Sequence, residues 1–248
     1  NSAEFSPDGE LIATASDDRT VKLWQRDGTI VTTLSVHSYD EIVKLGKPDG
    51  FLVQTISWHQ GKVNSAKFSP DSELIATVSN DDKTVKLWQR DGTLVKTLSG
   101  HQGKVNSAEF SPDSELIATA SDDKTVKLWQ RGGTLVTTLL GHQSWVNSAE
   151  FSPDGELIAT ASDDKTVKVW KPDGTLVTTL SGHQGGVNSA EFSPDSELIA
   201  TASADGTVKL WNFNIDDLLK HSCDWVRSYL KNNPNVTEEK RRLCDNID

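Results

Sequence analysis

The 248-residue sequence is poor in several residue types, and each scarcity narrows the class of protein. It contains no methionine and begins with Asn1, so we expect a fragment or a processed product. No apolar run approaches the roughly 20 residues of a membrane-spanning helix, so we expect no membrane partner. The two cysteines, Cys223 and Cys244, are too few for a disulfide framework. We therefore expect reduced thiols and a cytoplasmic location.

Positive charge is also scarce. The chain has 25 Lys and Arg against 36 Asp and Glu, and its net charge is −11. A surface that binds duplex nucleic acid needs a stripe of cations to displace the counterions of the phosphates. We therefore expect no nucleic-acid partner. The sequence also has no glycine-rich loop followed by Lys-Ser/Thr, so the chain itself carries no NTPase site.

What the sequence has in abundance is an internal repeat. Trp88, Trp129, Trp170 and Trp211 follow one another at 41-residue intervals, and the segments between them are nearly identical. Each unit predicts four short β-strands rich in threonine and β-branched residues. In one unit these strands are 105–110, 116–120, 125–129 and 134–139.

The connections between these strands have the residues of tight turns. Ser-Pro-Asp-Ser or Ser-Pro-Asp-Gly, as at 111–114 and 152–155, is typical of a type I turn. Asp-Gly at 91–92 and 173–174 predicts a hairpin. Four-stranded antiparallel sheets of this kind cannot bury both faces alone, so we expect the units to pack one on another around an axis.

The repeated pattern carries a family resemblance. A Gly-His pair, then Ser-Pro-Asp, then Asp and Trp run from Gly100 to Trp129, and recur from 141 to 170 and from 182 to 211. This pattern resembles the WD-repeat family, although Gln, Lys or Asn follows each tryptophan where the signature has Asp. The resemblance implies an all-β propeller of four-stranded antiparallel blades over residues 1–211, with five near-complete blades and one truncated unit at about 36–58.

The resemblance also implies a hydrogen-bonded tetrad in each blade. Indole donates only, a carboxylate accepts only, and hydroxyl and imidazole do both, so a chain from Trp through Thr and His to Asp satisfies every member. A catalytic or metal-binding role is the competing interpretation, but an active site would break the repeat. The tetrad residues are His59, Thr77, Asp82 and Trp88; His101, Thr119, Asp123 and Trp129; His142, Thr160, Asp164 and Trp170; and His183, Thr201, Asp205 and Trp211.

The repeat is broken between Trp24 and Trp88. Residues 42–64 align with 166–188, Gly46 stands in place of the tryptophan, and two inner strands are missing. We expect this remnant either to extend a neighbouring sheet or to project as a hairpin. Five blades are few for the family, so the ring closes tightly, stays open or is completed upstream of Asn1. An open edge would favour self-association.

Residues 212–248 no longer follow the repeat. Asn214 is a helix N-cap candidate, apolar residues then recur at helical spacing, and Pro234 follows the predicted helix. We expect a helical C-terminal extension that packs on the last blade; the alternative is a docking element for a partner. Near-identical blades with such a tail resemble the sensor propellers of bacterial, especially cyanobacterial, signal-transduction NTPases.

In the family, the loops before the inner strand and the turns before the Trp strand share one face. Trp145 departs from the repeat there, because its counterparts are Lys62, Lys104 and Gly186. An exposed tryptophan is a common interface anchor, although it could instead cover a loop. The aspartates of this face could bind a cation or a basic peptide, or satisfy the turn backbone. The partner-binding candidates are Trp145, Lys62, Lys104, Asn64, Asn106, Asn147, Asn188, Asp17, Asp81, Asp122 and Asp163.

These features predict a non-enzymatic platform without a cofactor, which binds a protein or peptide as the sensing or scaffolding part of a larger bacterial protein. One alternative is a propeller hydrolase, which needs paired carboxylates at the axis that differ from the repeat. The acidic residues instead recur in register. The other alternative is a structural unit that assembles with copies of itself through an open edge.

Overall fold

The computed structural model describes residues 2–15, 20–25, 30–35, 55–56, 63–79 and 83–213, together with Cys223 and Tyr229. The described chain is all-β, and its strands form five sheets, which we call blades 1 to 5 in chain order. The predicted all-β architecture of four-stranded antiparallel blades is thus confirmed. No helix within the described ranges is long and apolar enough to cross a membrane.

The truncated unit lies between the first two blades in the chain. Blade 1 consists of β1 (Ser2–Phe5), β2 (Leu11–Ala15), β3 (Thr20–Gln25), β4 (Ile30–Ser35) and β5 (Thr55–Ile56). Blade 2 consists of β6 (Val63–Phe68), β7 (Leu74–Ser79), β8 (Thr84–Gln89) and β9 (Leu94–Ser99).

The last three blades follow the repeat without interruption. Blade 3 consists of β10 (Val105–Phe110), β11 (Leu116–Ser121), β12 (Thr125–Gln130) and β13 (Leu135–Leu140). Blade 4 consists of β14 (Val146–Phe151), β15 (Ile158–Ser162), β16 (Thr166–Trp170) and β17 (Leu176–Ser181). Blade 5 consists of β18 (Val187–Phe192), β19 (Leu198–Ser203) and β20 (Val208–Asn212).

The turn between the first and second strands shows why the sequence selects this hairpin. The amide of Ser114 donates to the carbonyl of Ser111 at 2.8 Å. Ser114 has a left-handed φ of 63°, and its counterpart Ser72 has a φ of 62°. Glycine, which adopts this conformation at little cost, occupies the same position at Gly155. The Ser111 hydroxyl also accepts from the amide of Leu116 at 2.8 Å, so the turn is closed by its own side chain.

The truncated unit contributes one short strand among its described residues. β5 pairs in parallel with β4, with Thr55 opposite Thr33 and Ile56 opposite Leu34. These two residues therefore extend the neighbouring sheet, the first of the two alternatives. The rest of the 36–58 unit lies outside the described residues.

The core lies between blades and not within them. Each internal interface joins two kinds of blade surface. The forward face carries alternate residues of the second and third strands, such as Ala118, Val126 and Leu128 of blade 3. The rear face of the next blade carries residues of its first three strands, such as Phe151 and Trp170. Four such clusters join blades 1 to 5 in succession.

Among the described residues, the two end blades each have an apolar face that no other blade covers. Val208 and Leu210, on the forward face of blade 5, are each 69% exposed, and Phe5, on the rear face of blade 1, is 63% exposed. Their counterparts in the interface of blades 3 and 4, which are Val126, Leu128 and Phe151, are buried. The described blades therefore form an open row with one uncovered apolar face at each end.

Cys223 corrects one sequence-based expectation. It is buried and disulfide-bonded, so the prediction of reduced thiols is wrong for this residue. The cysteine count argued against a multi-bridge framework, but a single crosslink needs no framework. Apart from Cys223 and Tyr229, the predicted helical extension over 212–248 lies outside the described residues after 213.

Candidate protein-interaction surface

The tetrad of blade 3 is a continuous chain of buried hydrogen bonds. The Trp129 indole Nε1 donates to Thr119 Oγ1 at 2.9 Å. Thr119 Oγ1 lies 2.8 Å from His101 Nε2, and His101 Nδ1 lies 2.8 Å from Asp123 Oδ2. Thr119 is fully buried, and His101 and Trp129 are less than 10% exposed. Each polar atom of the chain is thus satisfied without water.

The strand register brings these residues together. Thr119 is at the centre of β11, Trp129 is near the end of β12, and Asp123 lies in the turn between these strands. Gly103 allows the loop after His101 to approach this turn, because a Cβ atom at Gly103 would lie 2.6 Å from the amide nitrogen of Asp123. Local turn geometry and the β-ladder therefore place all four side chains.

Protonation states follow from burial. Burial lowers the pKa of His101 despite its bond to Asp123, so the imidazole is neutral near pH 7. The proton assigned to Nδ1 lets the ring donate to Asp123 and accept from Thr119. Burial opposes the charge of Asp123, but hydrogen bonds from Thr125, Gln102 and His101 outweigh it and hold the pKa of this carboxyl below its ordinary value.

The same geometry recurs along the chain. In blade 4 the distances from Trp170 through Thr160 and His142 to Asp164 are 2.9, 2.8 and 2.8 Å. In blade 5 those from Trp211 through Thr201 and His183 to Asp205 are 3.0, 2.8 and 2.9 Å.

The first two blades show part of this arrangement. Trp88 donates to Thr77 at 2.7 Å, while His59 and Asp82 lie outside the described residues. Trp24 donates to Thr14 at 2.9 Å in blade 1. No group of three or more metal-binding side chains occurs in the described ranges. The repeated polar residues there hold strands and turns together.

Four of the predicted partner-binding residues form two networks, in each of which an asparagine bonds both to an aspartate of its own blade and to the next blade. Asn106 Nδ2 donates to Asp122 Oδ1 at 2.8 Å within blade 3 and to the carbonyl of Val146 in blade 4 at 2.9 Å. Asn147 repeats this with Asp163 and the carbonyl of Val187, at 2.7 and 2.9 Å. These amides and carboxylates fix one blade against the next, which accounts for their recurrence.

The other candidates have different surroundings. Lys104 is exposed, and Asn64 is half-buried and engaged in an interaction. Asn188 is exposed at the end of the row. Ala204 stands in its blade where Asp122 and Asp163 accept from the corresponding asparagines of blades 3 and 4. The remaining candidates, Lys62, Asp17 and Asp81, lie outside the described residues.

Trp145 lies in the loop between β13 and β14 and is 53% exposed. Its carbonyl accepts from the amide of Asp163 at 2.9 Å, as the carbonyl of Lys104 does from Asp122 at 2.9 Å. The carbonyl of Gly186 accepts likewise from Ala204 at 2.8 Å. Since lysine and glycine serve the same backbone contact, the fold does not require the indole.

The residue before Trp145 also departs from the repeat, which the sequence analysis missed. Ser144 stands where the other described blades have Gly103 and Gly185, and a Cβ atom at either glycine would meet turn backbone within 2.7 Å. Two consecutive departures therefore distinguish the loop of blade 4. The signal was present in the sequence as Ser-Trp in place of Gly-Lys and Gly-Gly.

A second missed feature lies where the first strands of successive blades contact one another, around the axis. Each of these strands carries a charged residue before its final phenylalanine: Glu4, Lys67, Glu109, Glu150 and Glu191. Lys67 Nζ lies 3.6 Å from Glu4 Oε2 and 3.4 Å from Glu109 Oε2. Its signal in the sequence was one substitution, VNSAKF among VNSAEF strands.

We call Glu4, Glu109 and Glu150 the axial carboxyls; burial raises the pKa of each of them above its ordinary value. Burial raises the pKa of Glu150 to about 8, and the negative charge of Glu109 adds to this effect. Burial also raises the pKa of Glu109, against the attraction of Lys67. The one position that departs from the repeat carries a cation, so it does not supply the second unique carboxylate that a hydrolase would need.

The raised pKa of Glu150 predicts that stability declines as the pH rises from 4.5 to about 8. The pKa of Glu150 is about 8 when folded against an ordinary 4.5, so its contribution is complete below pH 4.5 and is lost as the pH rises through 8. Urea unfolding of Glu150→Gln should therefore show a decline in unfolding free energy from pH 5 to pH 9 that is smaller by on the order of 2 kcal/mol. Exposed Glu156→Gln is the control, and equal declines in both variants would contradict the assignment.

Comparison with known proteins agrees with this geometry. The family model of the WD domain, G-beta repeat, matches residues 1–25, 50–89, 92–130, 133–171 and 174–212. The chain therefore belongs to the WD-repeat family, whose domains are in general non-enzymatic scaffolds for protein interactions. The second match begins inside the truncated unit. No curated protein matches the chain.

Proposed function

We propose that this chain is a non-catalytic protein-interaction module whose specificity resides in the blade 4 loop around Trp145. The observation that carries the proposal is the 53% exposure of this indole in a loop whose backbone bond is made equally well by lysine or glycine. Burying an exposed tryptophan against a partner gives a large gain in apolar contact area at low entropic cost.

The rest of this face supports a protein or peptide as partner. Asn106 and Asn147 are each hydrogen-bonded to the next blade. The surface around the loop is therefore pre-ordered and loses little entropy on binding. Exposed Lys104 lies in the corresponding loop of the preceding blade and offers a charged contact beside the apolar one. The net charge of −11 disfavours nucleic acid as a ligand.

The biological setting is part of the same proposal. Near-identical blades of this kind resemble the sensor propellers of bacterial signal-transduction NTPases, so we assign the chain to the sensing or scaffolding part of a larger bacterial protein. The chain carries no phosphate-binding loop, and the nucleotide-dependent step would belong to another module.

A substitution at Trp145 tests the proposal. Peptides selected from a random displayed library against the unaltered chain should bind Trp145→Lys at least about 30-fold more weakly, because a central aromatic anchor contributes roughly 2 kcal/mol or more. The thermal midpoint should stay within about 2 °C, because the side chain is not packed in the core.

The matched control is Lys104→Ala in the equivalent loop of blade 3, which should alter the dissociation constant by less than about threefold. If the selected peptides bind the Trp145 variant as tightly as the unaltered chain, the loop is not the specificity site. A loss of affinity accompanied by a comparable loss of stability would also contradict a separate binding role.

A further inference from the structure

The interfaces between blades share one plan, which occurs four times in the chain. In the interface of blades 3 and 4, Val126 and Leu128 of the forward face pack against the cluster containing Phe151 and Trp170 of the rear face. All four side chains are at most 5% exposed. The other interfaces use the same positions of the repeat, with small substitutions such as Val169 for Leu128.

The forward face of blade 5 has the same apolar side chains, but no described blade packs against them. Val208 and Leu210 are each 69% exposed and Leu198 is 37% exposed, whereas Val126 is 1% exposed and Leu128 is fully buried. The strand is otherwise the same, because β12 and β20 share the sequence VKLW. The exposed residues of blade 5 are thus the same apolar positions that the internal interfaces bury.

The rear face of blade 1 is the complementary half. Phe5 is 63% exposed, whereas its counterparts Phe68 and Phe110 are 4% and 3% exposed. Ala3 is exposed as well, although Ala66 in the same position of blade 2 is buried. The end of the row at blade 1 therefore presents the surface that blades 2 to 5 bury against the blade before them.

We infer that the forward face of blade 5 in one copy of this chain docks on the rear face of blade 1 in a second copy. The two faces are the halves of an interface that the chain already forms four times, and within the part of the chain that the structure describes both are uncovered. Burial of phenylalanine, valine and leucine side chains supplies the driving force. This inference does not rest on the proposed function of the Trp145 loop.

The symmetry of such a contact has a testable consequence. The two surfaces differ, so the interface is heterologous and each added copy leaves one free face of each kind. Assembly therefore proceeds beyond the dimer until a ring closes or the protein is exhausted. A symmetric contact between two identical faces would stop at the dimer.

Sedimentation velocity across a concentration series tests the inference with one variant for each end. The unaltered chain should form concentration-dependent oligomers. Leu210→Glu and Phe5→Glu should each sediment as monomers, because a buried unpaired carboxylate weakens the contact by at least about 100-fold. An equimolar mixture of the two variants should form heterodimers and nothing larger, since only one intact pair of faces remains.

Controls separate this contact from other effects. Leu135→Glu alters an outer-strand residue that is 44% exposed and belongs to neither face, so it should oligomerise like the unaltered chain. Val208→Glu and Ala3→Glu replace the first two variants if either fails to unfold cooperatively. Retained peptide binding by the monomeric variants keeps the test independent of the Trp145 loop.

Three results would overturn the inference. They are a monomeric unaltered chain at every concentration, oligomers that survive both end substitutions, and a mixture of the two variants that stays monomeric. A contact between like faces would instead leave one of the two end variants able to dimerise on its own.

Discussion

Replacement of Thr160 by valine should lower the free energy of unfolding by about 2–4 kcal/mol, although the two side chains have nearly the same shape. Thr160 is fully buried, and its hydroxyl accepts from the indole of Trp170 at 2.9 Å and lies 2.8 Å from His142 Nε2. Valine would leave an indole donor and an imidazole acceptor buried without partners. An unsatisfied buried polar group costs about 1–3 kcal/mol.

Urea unfolding monitored by tryptophan fluorescence measures this effect, and blade 1 offers the matched control. Thr14 is half-buried and accepts from the indole of Trp24 at 2.9 Å. Thr14→Val should therefore cost about 1 kcal/mol, because water can reach the indole left behind. Equal losses in the two variants, or a loss below about 0.5 kcal/mol for Thr160→Val, would show that the tetrad contributes no more than packing.

Replacement of Lys67 by glutamate should destabilise the axis, since it removes the cation that lies within 4 Å of Glu4 and Glu109 and adds a fifth carboxyl. The Lys67 side chain is 40% exposed, so solvent screening reduces the expected loss to about 2 kcal/mol at pH 7. The loss should grow toward pH 9, because Glu4, Glu109 and Glu150 have raised pKa values and are protonated more fully in acid.

Thermal midpoints of Lys67→Glu between pH 5 and pH 9 check this prediction, with Lys67→Gln as the matched variant. Glutamine removes the cation without adding a negative charge, so its midpoint should lie between those of the unaltered chain and Lys67→Glu. A difference between Lys67→Glu and the unaltered chain that is constant with pH would contradict an electrostatic origin.

The strand limits of the blades could be predicted closely from the sequence, because the same turn residues recur at the same positions of every unit. The strand predicted at 105–110 is observed as Val105–Phe110, and that predicted at 125–129 ends one residue later, at Gln130. Ser-Pro-Asp turns fix the first hairpin of each unit, and β-branched residues fill the strands. Identical units then allow one assignment to hold for all.

Contacts between blades could not be predicted in the same way. The bond from Asn106 to the carbonyl of Val146 joins residues 40 positions apart and depends on the rotation from one blade to the next. The sequence showed Asn106 only as a polar residue of a recurring loop. The parallel pairing of Thr55 with Thr33 likewise depends on how the truncated unit is accommodated, which strand propensity does not determine.

The contacts of Lys67 with the axial carboxyls could not be predicted from the sequence for a different reason. The substitution of lysine for glutamate at Lys67 is visible in the sequence, but its meaning depends on which side chains of the first strands converge. Alternation along a strand gives two faces and does not say which one points to the axis. The burial of Cys223 in a disulfide was missed because the count of cysteines bears on frameworks and not on single crosslinks.

Hydrogen exchange of the tryptophan indoles tests most directly whether the repeated residues build the blades and leave Trp145 free. Indole Nε1–H signals can be assigned in a two-dimensional NMR spectrum by single Trp→Phe substitutions. Trp129 and Trp170 should exchange at least about 1000-fold more slowly than Trp145, because their N–H groups are buried and bonded to threonine. Exchange of Trp129 or Trp170 as fast as that of Trp145 would show that the indoles are solvated and would contradict the account.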